Sequence, residues 1–333
     1  MEIVRQLDEG VWRDFVANQP LGNVFHTPEM FQVFARAKGH RPFLWAAVEG
    51  NRPVALLLPV QVTLMDSLLR RFTTRAIAYG SVLCAPGLGQ QALSMLLRVY
   101  RQETRGTALF TELRNLGDLS DLQPVFKEHG FTYQDHLDYL IDLNRPAEAV
   151  LQSMGARTRK KIRHALRQGQ VVIEEASRPE QAALCYELLR KTYAAAHVPL
   201  ADRSLFEAAF EILYPHGMVK FLLARVGDQY VAGSVELTYK DVIYGWYGGM
   251  DRAYSDHIPN ELLLWYIFQW GAEHGCRVYD FGGAGRPDEK YGVRDFKAKF
   301  GGNLVCYGRN TWVHSPLLFR MSEWAYTVYR RFL

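Results

Sequence analysis

Two stretches of this chain follow the same series of elements, and that repetition limits the fold more than any single motif does. Phe43 to Asn51 is a β-rich run entering a Gly-Asn turn, and Pro53 to Leu58 returns from it. Phe221 to Gln229 runs into a Gly-Asp-Gln turn, and Val231 to Val235 returns. Both have the pattern of a β-hairpin around a short glycine-containing loop. Each is followed by a strand holding a Tyr-Gly pair, Tyr79-Gly80 and Tyr244-Gly245. A helix comes next (Gln90 to Glu103, Asn260 to His274), then a further strand (Ala108 to Leu113, Arg277 to Phe281). Each half also carries a Phe-Lys pair near a glycine, Phe126-Lys127 and Phe296-Lys297. This order predicts an α/β (α+β) protein of two tandem domains, each a mixed β-sheet flanked by helices.

A length of 333 residues suits two domains. The break is expected near Asn144-Arg145-Pro146, where a strand over Tyr139 to Leu143 meets a proline, dividing the chain into 1–145 and 146–333. The helix from Glu261 to Trp270 is apolar almost all round, so it should be buried on several sides. The N-terminus lacks a basic segment followed by an apolar core. The longest apolar runs, Val54 to Val60 and Leu262 to Phe268, fall far short of the ~20 residues that span a bilayer. Cys84, Cys185, Cys276 and Cys306 stand far apart, without metal-ligand spacing, and read as reduced, mostly buried thiols. A soluble cytoplasmic protein without a metal is expected. The C-terminal segment, Phe319 to Leu333, mixes aromatics with cations. It suits a helix lying at the inner membrane face or one packed on the protein's own body.

Charge is uneven. Arg157, Arg159, Lys160, Lys161, Arg163 and Arg167 fall within Arg157 to Gln170 without a single carboxylate, although the whole chain carries only +4. Arg159, Arg163 and Arg167 recur every fourth residue, while Ile162, Ala165 and Leu166, with Thr158, supply an apolar side. A row of guanidinium groups fits phosphates of a nucleotide, a pyrophosphate lipid or an RNA, or it is a solvated face. The Tyr279 to Gly285 segment is a strand end opening into a glycine-rich loop, either a tight turn or a close approach to a ligand. From Tyr291 to Gly302, apolar and cationic residues interleave before two glycines. No Gly-x-Ser-x-Gly elbow, HExxH or Cys–His nucleophile pair is present, so an enzyme of this sequence should work by positioning substrates and stabilising charge.

Tyr244-Gly245 through Tyr254, Ile258-Pro259-Asn260-Glu261, Tyr279-Asp280-Phe281-Gly282-Gly283 and Gly292 to Gly302 together resemble the Fem family, aminoacyl-tRNA-dependent transferases of peptidoglycan interpeptide bridges. The resemblance covers roughly Gly217 to Tyr307, weakens upstream, and persists only as element order in residues 1–143. It implies two GNAT-like domains, no metal, and transfer of an aminoacyl group from aminoacyl-tRNA to an amine on a lipid- or UDP-linked muropeptide. The family's Phe-Lys pair maps onto Phe296 and Lys297, making them the candidate catalytic residues. Arg159, Arg163 and Arg167, with Tyr254, Asn260, Asp280 and Arg294 from the matching segments, are the candidate substrate-binding residues. The long helical hairpin that some members insert in the second domain has no room here, because Gln170 leads directly into Val171.

The pattern also resembles broader GNAT-like proteins of envelope and exopolysaccharide gene clusters, for which the donor would be an acyl-CoA. Ordinary GNAT enzymes grip the CoA pyrophosphate with backbone amides of a glycine-containing turn at a helix N-terminus. Arg252 to Asn260 has no glycine there and carries Asp256 and Pro259 instead, whereas the first half keeps Pro86-Gly87-Leu88-Gly89 before its helix. A degenerate GNAT pair that binds an anionic glycolipid or RNA without catalysis is the third reading.

Overall fold

A computed structural model describes residues 1–63 and 73–329, with side chains up to residue 322. The chain divides into two compact units, one of Met1–Asp135 with Tyr307–Leu333 and one of His136–Cys306. In the first, the hairpin Trp45–Glu49 and Arg52–Leu57 joins Glu2–Val4 and Val82–Cys84 in a four-stranded sheet. A six-stranded sheet runs in the order His40–Pro42, Val60–Thr63, Thr74–Ala78, Phe110–Arg114, Arg309–Val313, Thr132–Gln134. Within it, Thr74–Ala78 and Phe110–Arg114 are parallel, Ala76 opposite Thr111 and Ala78 opposite Leu113. The helix Gly89–Thr104 makes the crossover that parallel strands require. Its buried Ala92, Leu93, Leu96, Leu97 and Tyr100 recur at helical spacing and form one side of this unit's core.

The second unit repeats the plan. Its seven-stranded sheet runs Val171–Glu175, Val219–Val226, Gln229–Tyr239, Val242–Met250, Val278–Asp280, Leu137–Asp142, Asn303–Cys306. The pair Val242–Met250 and Val278–Asp280 is parallel, joined through the helix Pro259–Glu273. That helix buries Leu262, Leu263, Trp265, Ile267 and Phe268, which accounts for its lack of a polar stripe. Phe268 meets Tyr279, Phe281 and Phe300 edge-on with ring centroids 4.8, 5.8 and 5.9 Å apart, the arrangement aromatic quadrupoles favour.

The parallel ladder stops at Tyr244 opposite Asp280, while the longer strand continues to Met250 paired only with Gln229–Tyr239. Between Val235 and Glu236 the register of that second pairing shifts: Val235 faces Tyr247, Glu236 faces Gly245, and Trp246 is the extra residue. A bulge of this kind bends a strand and increases its twist. The parallel neighbours therefore separate beyond Tyr244 and Asp280, and the chain leaves the sheet there as a glycine-rich loop.

The division differs from the expected one at 145/146. Leu137–Asp142 belongs to the second unit, wedged antiparallel between Val278–Asp280 and Asn303–Cys306. Arg309–Val313 returns to the first, antiparallel to both Phe110–Arg114 and Thr132–Gln134. Each covers the open side of a parallel strand whose backbone groups would otherwise lack partners. The proline at 146 marks the end of a strand and the approach to the helix Ala147–Ser153, both inside one unit. Tyr79-Gly80 also lies one step outside its strand, in the turn after Ala78. The helix Pro316–Tyr329 packs Phe319 edge-on against Phe110 at 5.7 Å, while Leu317 is exposed; residues 330–333 of the aromatic-cationic terminus lie outside the described residues. Among the described residues no helix is long and apolar enough to cross a membrane.

Gly302 shows why two glycines close the Tyr291 to Gly302 segment. Its φ is +86°, and a Cβ there would sit 2.5 Å from the Leu140 carbonyl oxygen. Neither an L side chain nor that backbone can move out of the way. Gly302→Ala should therefore destabilise the protein by more than about 1 kcal/mol in urea denaturation. An unchanged midpoint would contradict the packing described here.

Candidate functional site

Phe281 to Arg286 leave the sheet at Asp280, and the short helix Gly292–Ala298 follows. Arg294 and Lys297 are three residues apart on that helix and so share a face. Lys297 is 7% exposed, and its ammonium donates to the carbonyls of Phe281 (2.7 Å), Gly282 and Gly283 (2.9 Å). An ammonium has three protons, and all three are used. The Arg294 guanidinium donates to the Ala284 carbonyl (2.8 Å) and to that of Arg286. The Gly285 carbonyl accepts from the Leu137 amide at 2.9 Å. Six consecutive carbonyls are thus held by two side chains and one neighbouring strand.

Beneath the loop lies a buried pair of carboxyl groups. Asp280 and Asp138 are 4% and 6% exposed and hydrogen-bond to each other. Burial first, then the charge and hydrogen bond of Asp138, raise Asp280 well above the usual carboxylate range, against the pull of the Gly282 amide and Lys297. A carboxyl–carboxyl hydrogen bond needs one proton between the two, so the pair keeps a single negative charge that balances the single ammonium. Burial also lowers the Lys297 pKa, while Asp138 and Asp280 act to raise it.

With the carbonyls turned inward, the amides of Gly283 and Gly285 make no hydrogen bond among the described residues. The Gly282 amide is taken by Asp280 Oδ1 at 2.7 Å. Gly282 has φ +61°, and a Cβ there would fall 2.8 Å from the Tyr244 hydroxyl, so this backbone lies bare against a phenol. Further along the same strand, Tyr247 packs on Phe206, Trp246 and Tyr193 with centroids 4.8, 5.1 and 5.9 Å apart. Burial pushes the Tyr193 hydroxyl up to about 12, and nearby Tyr291 adds to this. Amides without a partner in a loop that runs against the Tyr244 phenol suit the polarisation of a carbonyl, without any nucleophilic side chain.

The structure thus brings together Asp280, Arg294 and Lys297. In it Arg294 and Lys297 hold the carbonyls of the loop. Phe296 is half-buried on Phe300 at 5.3 Å, and Lys299 is exposed. Tyr254 lies in the 3-10 turn Arg252–His257, and Asn260 opens the next helix. In that turn the Asp251 carboxylate accepts from the Ala253 amide (3.0 Å), Ile258 is left-handed, and Pro259 brings no N–H to the helix start. The three arginines make their hydrogen bonds outside the glycine loop, and Arg167 stays exposed. Arg159 caps the preceding helix at the carbonyls of Gln152 (2.6 Å) and Met154 (3.4 Å), Arg163 pairs with Glu148, and Arg167 donates to the Arg163 carbonyl (3.2 Å).

Two buried acids escaped the sequence reading. Asp138 gives no local signal, since only strand pairing places it beside Asp280. Glu236 could have been found as the one charge in the apolar run from Val231 to Leu237. It is 1% exposed, accepts from the Tyr279 hydroxyl at 3.0 Å, and burial pushes it up to about 7.

Lys297→Met should leave three inward carbonyls without donors and cost roughly 3 kcal/mol, with amide exchange across 281–286 accelerated. Lys299→Met should change stability by less than about 0.5 kcal/mol. Equal stability of the Lys297 variant and wild type would remove the brace. Glu236 sets a pH dependence whose sign follows from its raised pKa. Between the ordinary 4.5 and about 7 the folded chain keeps a proton that the unfolded chain loses. Stability should therefore fall by about 3 kcal/mol as pH rises through that window, then level off. Glu236→Gln should flatten this profile and be the more stable protein at pH 8; a profile unchanged by the substitution would refute the assignment.

Residues 152–297 match the acetyltransferase (GNAT) domain family. The lipid II:glycine glycyltransferase of Staphylococcus haemolyticus (strain JCSC1435) is 33% identical over 88 residues, 25% of this chain and 21% of that protein. The one of Staphylococcus saprophyticus is 23% identical over 269 residues, 59% of this chain and 62% of that protein. This chain thus spans less than two thirds of either relative. The crystal structure of FemX superposes with a TM-score of 0.74 at 16% identity, covering 97% of this chain and 100% of that one. With the same crossover plan in both units and the loop within residues 152–297, the chain matches the GNAT domain family over that stretch and shares the fold of FemX over its described length.

Proposed function

We propose that the chain is an aminoacyltransferase that carries an aminoacyl group from aminoacyl-tRNA to an amine of a lipid- or UDP-linked peptidoglycan precursor. The observation that carries this reading is the braced loop from Phe281 to Arg286, which leaves the Gly283 amide free of any partner among the described residues. An amine attacking an ester carbonyl develops negative charge on oxygen, and a fixed backbone amide stabilises that charge without reorganising. Lys297 enters as a positioning residue that keeps the loop's amides outward, and Phe296 seats its helix on the core. The names of the staphylococcal relatives support the acceptor class.

The turn before Pro259 supports an aminoacyl ester over a CoA thioester, because it lacks both the glycines and the first-turn amide that would hold a pyrophosphate. A CoA-dependent reading would have to use the Pro86-Gly87-Leu88-Gly89 turn, which borders a cavity of about 330 Å³. That cavity is also lined by Asp118 and Asp121, whose carboxylates would oppose phosphate.

The test offers the purified protein charged tRNA or acetyl-CoA, each with lipid-linked and UDP-linked muropeptide. Transfer from charged tRNA is expected. Lys297→Met should lower turnover ~10²-fold, the scale of losing one oxyanion donor, while Lys299→Met retains it. Transfer from acetyl-CoA alone, or from neither donor, would overturn the reading.

A further inference from the structure

The geometry points to a second feature of the basic helix: its outward face, Arg157, Lys160, Lys161 and His164, is where the ribose–phosphate chain of an RNA lies. This inference rests on the tRNA-donor reading and gives that donor a contact surface. The helix spans Ala156–Gln168, and the four residues follow i, i+3, i+4, i+7 spacing, so they share one face. At 1.5 Å per residue Arg157, Lys160 and Lys161 spread permanent cations over about 6 Å of the helix axis, and His164 extends the polar face by one more turn. All four are exposed, and among the described residues their side chains make no hydrogen bond or ion pair. The arginine row does otherwise, since Arg159 and Arg163 are engaged with the helix Ala147–Ser153. Thr158 and Ile162 are buried and Ala165 packs on the core, so the helix is anchored from the other side.

The composition of the face favours RNA over a lipid surface. A helix that lies on a membrane sets large apolar residues beside its cations for insertion. Here the apolar side is spent on the core. The exposed Leu166 points about 180° away from the cationic face, at 100° per residue. A hydrated polyanion needs no such insertion, and Arg157 adds a planar fork suited to phosphate.

The experiment measures anisotropy of fluorescently labelled, unacylated bulk tRNA from 50 to 200 mM salt. The triple variant Arg157→Gln, Lys160→Gln, Lys161→Gln should bind about tenfold more weakly at low salt. Its log–log salt slope should fall by about 2, near 0.7 per lost phosphate contact. Lys160→Arg with Lys161→Arg should restore both, which separates charge from folding damage. Arg163→Gln should leave the slope unchanged. If wild type binds tRNA and the triple variant keeps its slope, the face is refuted while the donor reading stands. If wild type binds no tRNA and transfers from acetyl-CoA alone, both fall. Loss of binding to phosphatidylglycerol vesicles with tRNA binding intact would also overturn the inference, in favour of a membrane.

Discussion

A lysine ammonium withdrawn from water must find acceptors for three protons, and in this protein the Phe281, Gly282 and Gly283 carbonyls supply them. That single cation fixes which way three peptide planes face. Once their oxygens point inward, the amides that follow are either captured, as Gly282 is by Asp280, or left available, as Gly283 is. Arg294 continues the same logic along the loop from one helical turn earlier. The loop gets its shape from the short helix behind it. Its glycines permit that shape without imposing it.

The buried charges balance only because a strand is inserted. Leu137–Asp142 pairs with Val278–Asp280, and this carries Asp138 to the side of Asp280. Two ionised carboxylates at that depth would repel each other, so one proton stays with the pair, and the remaining charge answers Lys297. Glu236 follows a different rule in the same sheet. It lies by the register shift that separates the parallel strands, has a phenol hydroxyl as its donor, and burial pushes its own carboxyl up to about 7. Both arrangements place unusual acids around the one point where parallel pairing ends.

The basic helix has three sides with different work. Thr158 and Ile162 anchor it, Arg159 and Arg163 tie it to the preceding helix, and Arg157, Lys160, Lys161 and His164 meet water. A capping arginine satisfies the carbonyls that a helix C-terminus leaves open, which explains why cations close to a helix end need not imply a ligand.

Periodicity and turn chemistry made the hairpins, both crossover helices and the apolar Pro259–Glu273 helix legible, because these depend on neighbours a few residues away. The glycine-rich segment, the Phe-Lys pair and the density of cations over 157–167 were legible for the same reason. The sequence by itself therefore determined the repeated βα plan and marked where chemistry-bearing residues cluster. Tertiary structure decided the rest. It set the division between units, since strand exchange depends on which backbone edge lacks a partner and not on where a proline falls. It turned Lys297 and Arg294 toward carbonyls that lie 8 to 16 residues away. It also paired Asp138 with Asp280, residues far apart in sequence that adjacent strands bring together. Burial and partner choice are properties of the folded neighbourhood, and no local pattern of letters encodes which of two cations will face water and which will be enclosed.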